Sequence, residues 1–544
     1  MKNLVRKTIS FLSQEKNTRA FKAVAKTFRT FNPTSNGIIL LESRHWATCQ
    51  ISLLCFLPAA LEHYNSSLVV YDMEPRENLH KLRRAIKNRV SVVRSISHYK
   101  TLNIVGQQRI SNTHKYIFDQ FVSGSAEPRT LESFTYRGVL IGDLVYDTVL
   151  RKKNEPTINF QSESFKFTFL SFLQYCDQLI DYFEKNTVKA VVLSHTTYKY
   201  GIPARIALIH DIDVFHVDIN FVGRATALSP NPYFSLLNVS NEVFLENDQD
   251  ARKIARDLGR KLLDEALSYR PIENNLSTNV EDHGLSKLSL TKLIGHKPFV
   301  LIAIHDFFDA CHVYGNNFHS DFYLWLDDIG QLTKNSGYLF LLKPHPLAVA
   351  DAGDVLTELS DKYPQFIVIS KDTSHYDLVE MGLSVCLTVY GSVAHELPKL
   401  GVKVINASRN NPHVNFNFSF TPKTLQEYRN ILLNIEEFTY EPDLNSLYEF
   451  YFLRFVYNLQ SWVIPEYKDF LNALGGIRQP DREKTFYSFL NLEKKVDLHC
   501  LKATVLSFLK SDDLILGRKH FPSPNCLSET RNCQCRNIIN FMEK

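Results

Sequence analysis

The chain has 544 residues, of which 44% are hydrophobic and 22% are charged, and its formal net charge at pH 7 is +4. This length exceeds what one hydrophobic core ordinarily holds, so we expect at least two domains, and the composition excludes a disordered chain. The weak positive charge does not argue for nucleic-acid binding, and no run of about 18 apolar residues predicts a membrane-spanning helix.

The first 30 residues form a basic amphipathic segment. Eight lysine and arginine residues stand there against one acidic residue, Glu15, with apolar residues between them. Such a segment can lie on an anionic membrane surface, where each cation contributes roughly 1 kcal/mol, or it can be a solvated helix packed on its own domain. Because residues 1–30 lack the apolar core and cleavage site of a secretory signal, we expect a cytoplasmic protein, peripheral at the inner face of the inner membrane if the segment binds lipid.

The cysteines support a reducing compartment. Buried free thiols are typical of such a location, and five of the nine cysteines lie inside apolar segments: Cys49, Cys55, Cys176, Cys311 and Cys386. A second group lies near the C-terminus, at His520, Cys526, Cys533 and Cys535. A zinc site is conceivable there, but a Cys-x-Cys pair is not the usual ligand spacing, so we expect no metal ion.

Residues 31–240 alternate between apolar, strand-like runs and helical patterns. Strands are predicted at 37–41, 68–71, 139–141, 190–193 and 214–217. Helices are predicted at 46–63, 74–100, 170–185 and 204–210. This alternation predicts a parallel sheet that is covered by helices on both faces, which is a Rossmann-like domain.

A second alternation begins after residue 297. A charged amphipathic helix at 248–269 and a polar stretch at 270–297 make 241–297 a helix and linker. Residues 298–440 then repeat the Rossmann-like pattern, with a helix at 351–363 and strands at 299–304, 338–342, 366–369, 385–389 and 402–405.

The pattern changes after residue 440 from alternating strands and helices to helices alone. Residues 441–475 are apolar on nearly every face, so we expect buried helices that cross back, and 476–544 is predicted to be a small appendix. The predicted fold class is therefore α/β, with two Rossmann-like domains facing a cleft. Folds of this kind bind ligands in such a cleft.

The sequence Lys343-Pro344-His345-Pro346 directly follows a predicted strand. Its side chains should emerge at the carboxyl edge of a parallel sheet, which is where such sheets bind ligands. The two prolines fix the backbone and so aim His345, which can donate to a phosphate oxygen, while Lys343 adds a positive charge. The alternative is a rigid turn whose histidine only caps local carbonyl groups.

A second motif, from Tyr390 to Glu396, follows the strand at 385–389. Gly391 permits close approach of a ligand, and Ser392 is a predicted N-cap of a helix whose free amides would favour an anion. His395 lies within the motif, and Glu396 can accept a hydrogen bond from ribose hydroxyls. The alternative is an ordinary capped helix with an acid in its first turn.

Two further segments belong to the second domain. Ser374 can cap a short helix and also contact a donor, although capping alone explains it. The stretch from His305 to Trp325 is rich in histidine and aspartate and should line the cleft. Its spacings match no familiar metal site, so we expect hydrogen bonding to substrate and phosphate instead.

In the first domain, three side chains are candidates for a catalytic base. Glu42 follows the first strand, Asp143 follows the strand at 139–141, and His195 follows the strand at 190–193. A carboxylate or imidazole that accepts a proton from a hydroxyl accelerates transfer by roughly 10²–10⁴-fold. Each of the three can equally be a satisfied polar residue at a strand end.

Several of these stretches resemble bacterial capsule and surface-polysaccharide glycosyltransferases with two Rossmann-like domains, the GT-B type. The likeness is most specific over 299–407, where it includes the Lys-Pro-His-Pro turn, the Gly-Ser-Val-Ala-His-Glu-Leu-Pro segment and the run at 401–407. Residues 141–151, 194–198 and 200–203 also resemble stretches of such proteins. The whole likeness covers about residues 35–470.

The resemblance implies that the second domain holds a nucleotide-sugar and that the first holds a growing glycan. His345 and Ser392 would lie near the phosphates of the donor and Glu396 near its ribose. With basic side chains and amides at the leaving phosphate, metal-independent chemistry without a cofactor would follow.

From these residues we expect a glycosyltransferase of capsule or lipopolysaccharide synthesis, with possible partners among the other polysaccharide-assembly enzymes and an anionic membrane. Three alternatives stay open: a CDP-polyol phosphotransferase on the same scaffold, a non-catalytic glycan or assembly scaffold, and a nucleotide-sugar epimerase. The paired Ser-Ser/Asp-Tyr signature of the CDP-glycerol phosphotransferases is missing, which counts against the first of them.

Overall fold

The structure is a computed structural model that describes residues 16–28, 31–44, 46–73, 91–104, 110–124, 126–152, 155–232, 249–268, 287–345, 352–458, 461–464, 482–493 and 497–522, with Tyr467, Phe470 and Leu474. Among these residues we find no helix with the length and hydropathy that a membrane crossing requires. The cysteines of the C-terminal group, Cys526, Cys533 and Cys535, lie outside the described residues, as do most of the predicted helix at 74–100 and most of the linker at 270–297.

The first domain is built around a parallel sheet. Its strands are β1 (Gly37–Glu42), β2 (Ser66–Asp72), β3 (Tyr99–Asn103), β4 (Thr135–Tyr136), β5 (Val139–Leu140), β6 (Val188–Leu193), β7 (Asp213–Asp218) and β8 (Phe221–Arg224). Its helices are α1 (Lys16–Thr27), α2 (Ala47–Tyr64), α3 (Val93–Ile96), α4 (Asn112–Ser123), α5 (Pro128–Glu132), α6 (Gly142–Arg151), α7 (Glu163–Lys185) and α8 (Ile202–Ile209). The sheet has the order β3-β2-β1-β6-β7-β8, and only β8 runs antiparallel to its neighbour.

The strand predicted at 139–141 does not join this sheet. It pairs with β4 in a separate hairpin, in which Thr135 faces Leu140. The turn between them uses Arg137 and Gly138, whose φ angles of 50° and 81° are those of a tight hairpin turn. Two residues a strand are too few to cross a domain core, so this hairpin lies beside the sheet.

The second domain contains a five-stranded parallel sheet. Its strands are β9 (Phe299–Ala303), β10 (Leu339–Lys343), β11 (Phe366–Val368), β12 (Val385–Thr388) and β13 (Lys403–Asn406), in the order β11-β10-β9-β12-β13. Its helices are α10 (Lys287–Ile294), α11 (Phe322–Leu332), α12 (Ala352–Lys362), α13 (His375–Glu380) and α14 (Leu425–Leu433), and α9 (Gln249–Ser268) precedes it.

In each sheet the order in which successive strands are added reverses at one point. This point lies between β1 and β6 in the first sheet and between β9 and β12 in the second. Strands that are buried on both faces produce the near-continuous apolar runs seen in β1 and β12. The prediction of two Rossmann-like α/β domains is therefore confirmed. In sheets of this kind, ligands bind at the carboxyl ends of the strands beside the reversal point.

Helix α9 packs against a helix from the later part of the chain, α15 (Leu444–Phe452). A side-chain carbon at Gly259 would lie 1.9 Å from the carbonyl oxygen of Tyr448, so the close approach of the two helices requires glycine there. Arg252 and Arg256 each pair with the buried Glu449, at 2.7 and 2.6 Å. The chain then returns to the first domain, where Ser461 donates to the carbonyl of Ile219.

The region predicted as an appendix instead completes the first domain. Helix α17 (Leu498–Leu509) packs on α2, and Leu516 donates a backbone hydrogen bond to Val222 in the edge strand β8. Helix α16 (Arg482–Glu493) packs on α1, with the rings of Phe21 and Phe486 stacked at 4.3 Å. The apolar face of the described basic segment thus lies against its own domain.

The cysteine prediction holds for the five buried residues, all of which are free thiols. It does not hold for Cys500, which is disulfide-bonded. His520, from the C-terminal group of histidine and cysteines, is buried, and its Nε2 lies 2.9 Å from the Asp513 carboxylate.

Candidate active site

The predicted donor residues gather at the carboxyl edge of the second sheet. His305 follows β9, the central strand. On one side of it, Lys343 ends β10 and His345 follows, and on the other side Tyr390 and Gly391 follow β12. The two motifs that the sequence singled out therefore lie on the same edge, with His305 between them.

His305 is held in one orientation by its neighbours. Its Nε2 accepts a hydrogen bond from the Tyr390 amide at 3.4 Å, and its ring packs against those of Phe322 and Tyr390 at 4.9 and 4.4 Å. Burial, with a smaller effect from His345, lowers the pKa of His305 to about 3. The ring is therefore neutral at pH 7, and the amide bond assigns its proton to Nδ1, which becomes a hydrogen-bond donor.

The backbone after β12 forms a tight turn rather than the predicted α-helix. Two short 3₁₀-helices, Ser392–His395 and Leu397–Leu400, occupy this stretch, and Gly391 instead of Ser392 stands at the first N-cap position. Pro398 explains the difference, because it lacks the amide that an α-helix needs and its ring collides with the carbonyl one turn earlier. The α-helix whose N-terminus was predicted to favour an anion is therefore not formed.

Gly391 is required for steric reasons. A side-chain carbon there would lie 2.6 Å from Oγ1 of Thr388, which accepts a hydrogen bond from the Gly391 amide. The same carbon would lie 3.7 Å from the His305 ring.

We therefore predict that Gly391→Ala displaces the turn and destabilises the protein by about 1–3 kcal/mol, the usual cost of overpacking. Urea denaturation measures this loss. Gly337→Ala is not a suitable control, because Gly337 has a φ of 75° and alanine would be strained there. Gly517→Ala, with open space around it and an extended backbone, is the matched control and should leave stability unchanged.

Lys343 and its neighbours form a second cluster beside the turn. The ammonium group of Lys343 donates to the carbonyl of Thr373 at 2.6 Å, and burial lowers the pKa of this lysine. Ser374 stands at the N-cap of α13 without making a side-chain capping bond. Glu396 lies 3.7 Å from the ring of His375, with its side chain partly open to solvent.

The structure does not bring His395 to this edge. Its ring is buried, lies 2.8 Å from that of His413 and packs against Phe450 in a separate aromatic cluster. The role of donor ligand predicted for His395 has no geometric support.

In the first domain, two of the three predicted bases are paired with arginine. The carboxylate of Glu42 lies 2.6 Å from Arg44 and also accepts a hydrogen bond from the Ser194 amide at 2.9 Å. Asp143 accepts from Arg205 at 2.6 Å. Both carboxylates are thus already engaged by a structural partner.

His195 differs from these carboxylates. Its Nδ1 lies 2.6 Å from the Thr197 hydroxyl, and its ring lies beside those of Tyr198 and Tyr200, each at 5.8 Å. Burial, followed by the charge of Arg44, lowers the pKa of His195 to about 4. The imidazole is therefore neutral at pH 7 and has one nitrogen for an external partner.

Contacts across the crevice bring His195 towards the second domain. Tyr198, three residues further on, donates to Asp309 of the second domain at 2.5 Å, and Arg151 lies 3.7 Å from the same carboxylate. Tyr198 has a φ of 55°, an uncommon conformation for a tyrosine. The carboxyl edges of the two sheets therefore face each other, as the predicted cleft requires.

A buried network beside the crevice was not foreseen. His312 of the second domain inserts between two carboxylates of the first, with Asp147 at 2.6 Å and Glu132 at 3.6 Å. Burial lowers the pKa of the His312 imidazole, but Cys311 and Asp147 raise it by more. The pKa therefore lies well above the ordinary value of a histidine. Asp321 makes a second link, because it accepts hydrogen bonds from Tyr146 and Thr157 of the first domain.

The histidine- and aspartate-rich segment was predicted to hydrogen-bond substrate, but much of it joins the domains. Asp147, Cys311 and His312 offer atoms within 4.8 Å of one another, close enough to share a metal ion. However, Asp147 Oδ1 already accepts from the Cys311 amide at 3.2 Å and contacts the His312 ring. These hydrogen bonds account for the arrangement.

The fold and crevice define an α/β protein with two Rossmann-like domains whose sheet edges face each other. No family model matches its sequence, and no curated protein does. Solved structures that match include the UDP-GlcNAc 2-epimerase of Neisseria meningitidis bound to UDP-GlcNAc, at 12% identity and a TM-score of 0.22, over 76% of this chain and 94% of that one.

Two other matches are similar in extent. The UDP-N-acetylglucosamine 2-epimerase of Rickettsia bellii matches at 14% identity and a TM-score of 0.24, over 76% of this chain and 92% of that one. MurG of Acinetobacter baumannii matches at 10% identity and a TM-score of 0.21, over 77% of this chain and 94% of that one. TM-scores this low do not establish a shared fold. The two Rossmann-like domains are instead defined by the strand order of the two sheets, and the candidate site is defined by the contacts of its residues.

Proposed function

We propose that this chain transfers a sugar from a nucleotide-sugar donor to a growing capsular or lipopolysaccharide glycan, using its own side chains rather than a metal ion at the leaving phosphate. One observation carries the proposal. The neutral His195 of the first domain and the neutral His305 of the second both lie close enough to Asp309 to be affected by its charge, and Tyr198 contacts Asp309 between the domains. His305 also lies beside His345 and the turn at Gly391.

In the proposed reaction, a hydroxyl of the acceptor attacks the anomeric carbon while the bond from that carbon to the phosphate oxygen breaks. His195 takes the hydroxyl proton on Nε2, in the tautomer whose Nδ1–H donates to Thr197. The nucleotide leaves with the bonding electron pair, and the Nδ1–H of His305 donates to the phosphate oxygen that gains charge. Such a donor is worth about 10²–10³ in kcat where it has been removed from other enzymes.

The location follows the same proposal. A cytoplasmic enzyme at the inner face of the inner membrane would reach lipid-linked glycan and the other assembly enzymes. The apolar face of α1 does not support lipid binding by residues 16–27, because Phe21 packs on Phe486.

We predict that His305→Phe abolishes stabilisation of the protein by nucleotide while it preserves the packing of the ring on Phe322. The measurement is the thermal shift with a panel of UDP, GDP, CMP and CDP compounds, since a ligand at 100 times its Kd adds about 2.7 kcal/mol. His296→Phe, on an exposed histidine of the same domain, is the matched control. Full nucleotide binding by His305→Phe would contradict the donor site.

The same panel separates the alternatives. Transfer from CDP-polyols would indicate a polyol phosphotransferase, and conversion of a nucleotide-sugar without acceptor would indicate an epimerase. Absence of nucleotide binding to the unmodified protein would indicate a scaffold.

A further inference from the structure

An aromatic and cationic stack leads from His195 to the surface of the first domain. The ring of Tyr200 lies 5.8 Å from that of His195, and the guanidinium carbon of Arg44 lies 4.7 Å from the centre of the Tyr200 ring. The guanidinium carbon of Arg44 also lies 5.6 Å from the centre of the Trp46 ring. Trp46 is 56% exposed, so the stack begins at the proposed base and ends in solvent.

The middle of this stack is fixed in place. Arg44 is paired at 2.6 Å with Glu42, which is itself buried and accepts hydrogen bonds from the amide and hydroxyl of Ser194. The guanidinium group of Arg44 is therefore restricted in its orientation. It makes a cation–π contact with the Trp46 ring and so restricts that ring as well. An exposed aromatic residue alone is ordinary, but this one is oriented by a buried ion pair.

The position of Trp46 identifies what it would contact. It stands at the N-cap position of α2, just beyond the carboxyl end of β1 and on the acceptor side of the crevice. A glycan whose terminal hydroxyl reaches His195 must extend outward along this edge. Its sugar rings carry C–H faces that pack on aromatic rings and hydroxyl groups that accept from guanidinium.

We propose that Trp46, Arg44 and Tyr200 form an acceptor subsite that binds a sugar ring of the glycan behind the reacting residue. This inference rests on the proposed function, because it takes His195 as the point at which the acceptor reacts. It assigns the enzyme an oligosaccharide acceptor rather than a single free sugar.

The fluorescence of Trp46 can be used to measure binding at this subsite. It contains three tryptophan residues, and Trp325 and Trp462 are 1% and 3% exposed, so a soluble quencher such as acrylamide acts selectively on Trp46. The probe is a size-fractionated set of oligosaccharides released from the surface polysaccharide of the source cells, with the monosaccharides of the same hydrolysate as comparison. We expect the oligosaccharides to protect Trp46 from quenching at concentrations about tenfold below those that the monosaccharides need. This ratio corresponds to the one stacking contact that an oligosaccharide makes in addition.

Kinetics supply the second measurement. Trp46→Ala should raise the KM for oligosaccharide about tenfold and leave both kcat and the nucleotide thermal shift unchanged. Trp46 makes no side-chain capping bond to its helix, so the substitution does not remove a cap. Tyr116→Ala, at a 63% exposed aromatic residue on α4, is the matched control.

The outcomes distinguish this subsite from the proposed reaction. Nucleotide stabilisation without protection of Trp46 would overturn the subsite and leave the donor site standing, as would an unchanged KM in Trp46→Ala. Protection of Trp46 without any nucleotide binding would support the subsite and overturn the transferase.

Discussion

Replacing His195 with alanine should lower kcat for glycosyl transfer by about 10²–10⁴-fold and leave nucleotide binding unchanged. The imidazole is the one predicted base that no arginine neutralises, and it stands at the edge of the first sheet facing Asp309 of the second domain. Single-turnover transfer assays measure the loss, and the nucleotide thermal shift shows whether the donor site survives.

The matched control for this prediction is Asp143→Asn. Asp143 is paired with Arg205, so its replacement should reduce stability and preserve kcat. An equal loss of kcat in Asp143→Asn and His195→Ala would point to a general disturbance of the domain and would contradict a specific role for the imidazole.

The pH dependence offers an independent check. Because the pKa of His195 is lowered to about 4, the neutral, proton-accepting form predominates above that pH. The acidic limb of kcat/KM should therefore lie near pH 4, provided that the protein stays folded there. A limb near the ordinary histidine value of about 6.5 would contradict this assignment.

Replacing His312 with alanine should lower the free energy of unfolding by about 3–5 kcal/mol, the usual cost of breaking a buried ion pair. The substitution leaves the buried Asp147 without its positive partner, and it removes one of the two partners of the half-buried Glu132, which keeps its pair with Arg129. Urea denaturation measures the loss, and small-angle X-ray scattering shows whether the domains separate.

The control for this prediction is His319→Ala. His319 pairs at 2.9 Å with Asp328 within the second domain, so its loss should cost stability without changing the relation between the domains. Identical scattering from wild type and His312→Ala, together with unchanged stability, would contradict the role of His312 as an interdomain link.

The contribution of His312 has a defined pH dependence. A raised pKa in the folded state means that the stabilisation is fully present below the unfolded value of about 6.5 and is lost as the pH rises through the folded value. The difference in stability between wild type and His312→Ala should therefore shrink in alkaline solution.

The central strands of both sheets could be predicted from sequence because they are buried on both faces. The edge strand β3 gave no such signal: it is largely open to solvent and reads Tyr-Lys-Thr-Leu-Asn, and it was not predicted as a strand. The helices α16 and α17 were recognised neither as elements nor as part of the first domain, because no local pattern states which distant surface a helix will cover.

Some residues of the candidate site could likewise be predicted from the sequence, and others could not. His305 and Lys343 were found because each follows an apolar strand whose direction sets its edge. The choice among Glu42, Asp143 and His195 needed coordinates, because it depends on which side chains an arginine contacts. Arg205, the partner of Asp143, lies 62 positions away in the sequence. The contact of His312 with Asp147 joins residues 165 positions apart, and only the packing of two domains creates it.

The wrapping of α1, α16 and α17 around the first domain has a consequence for synthesis on the ribosome. The second domain is continuous from 287 to 458 and can fold as soon as it emerges, whereas the first still lacks the cover that α17 places over α2. During that interval the apolar side chains beneath it, among them Phe56 and Phe215, lack partners such as Phe508. The nascent first domain therefore exposes apolar surface until α17 has been translated, although its strands are made first.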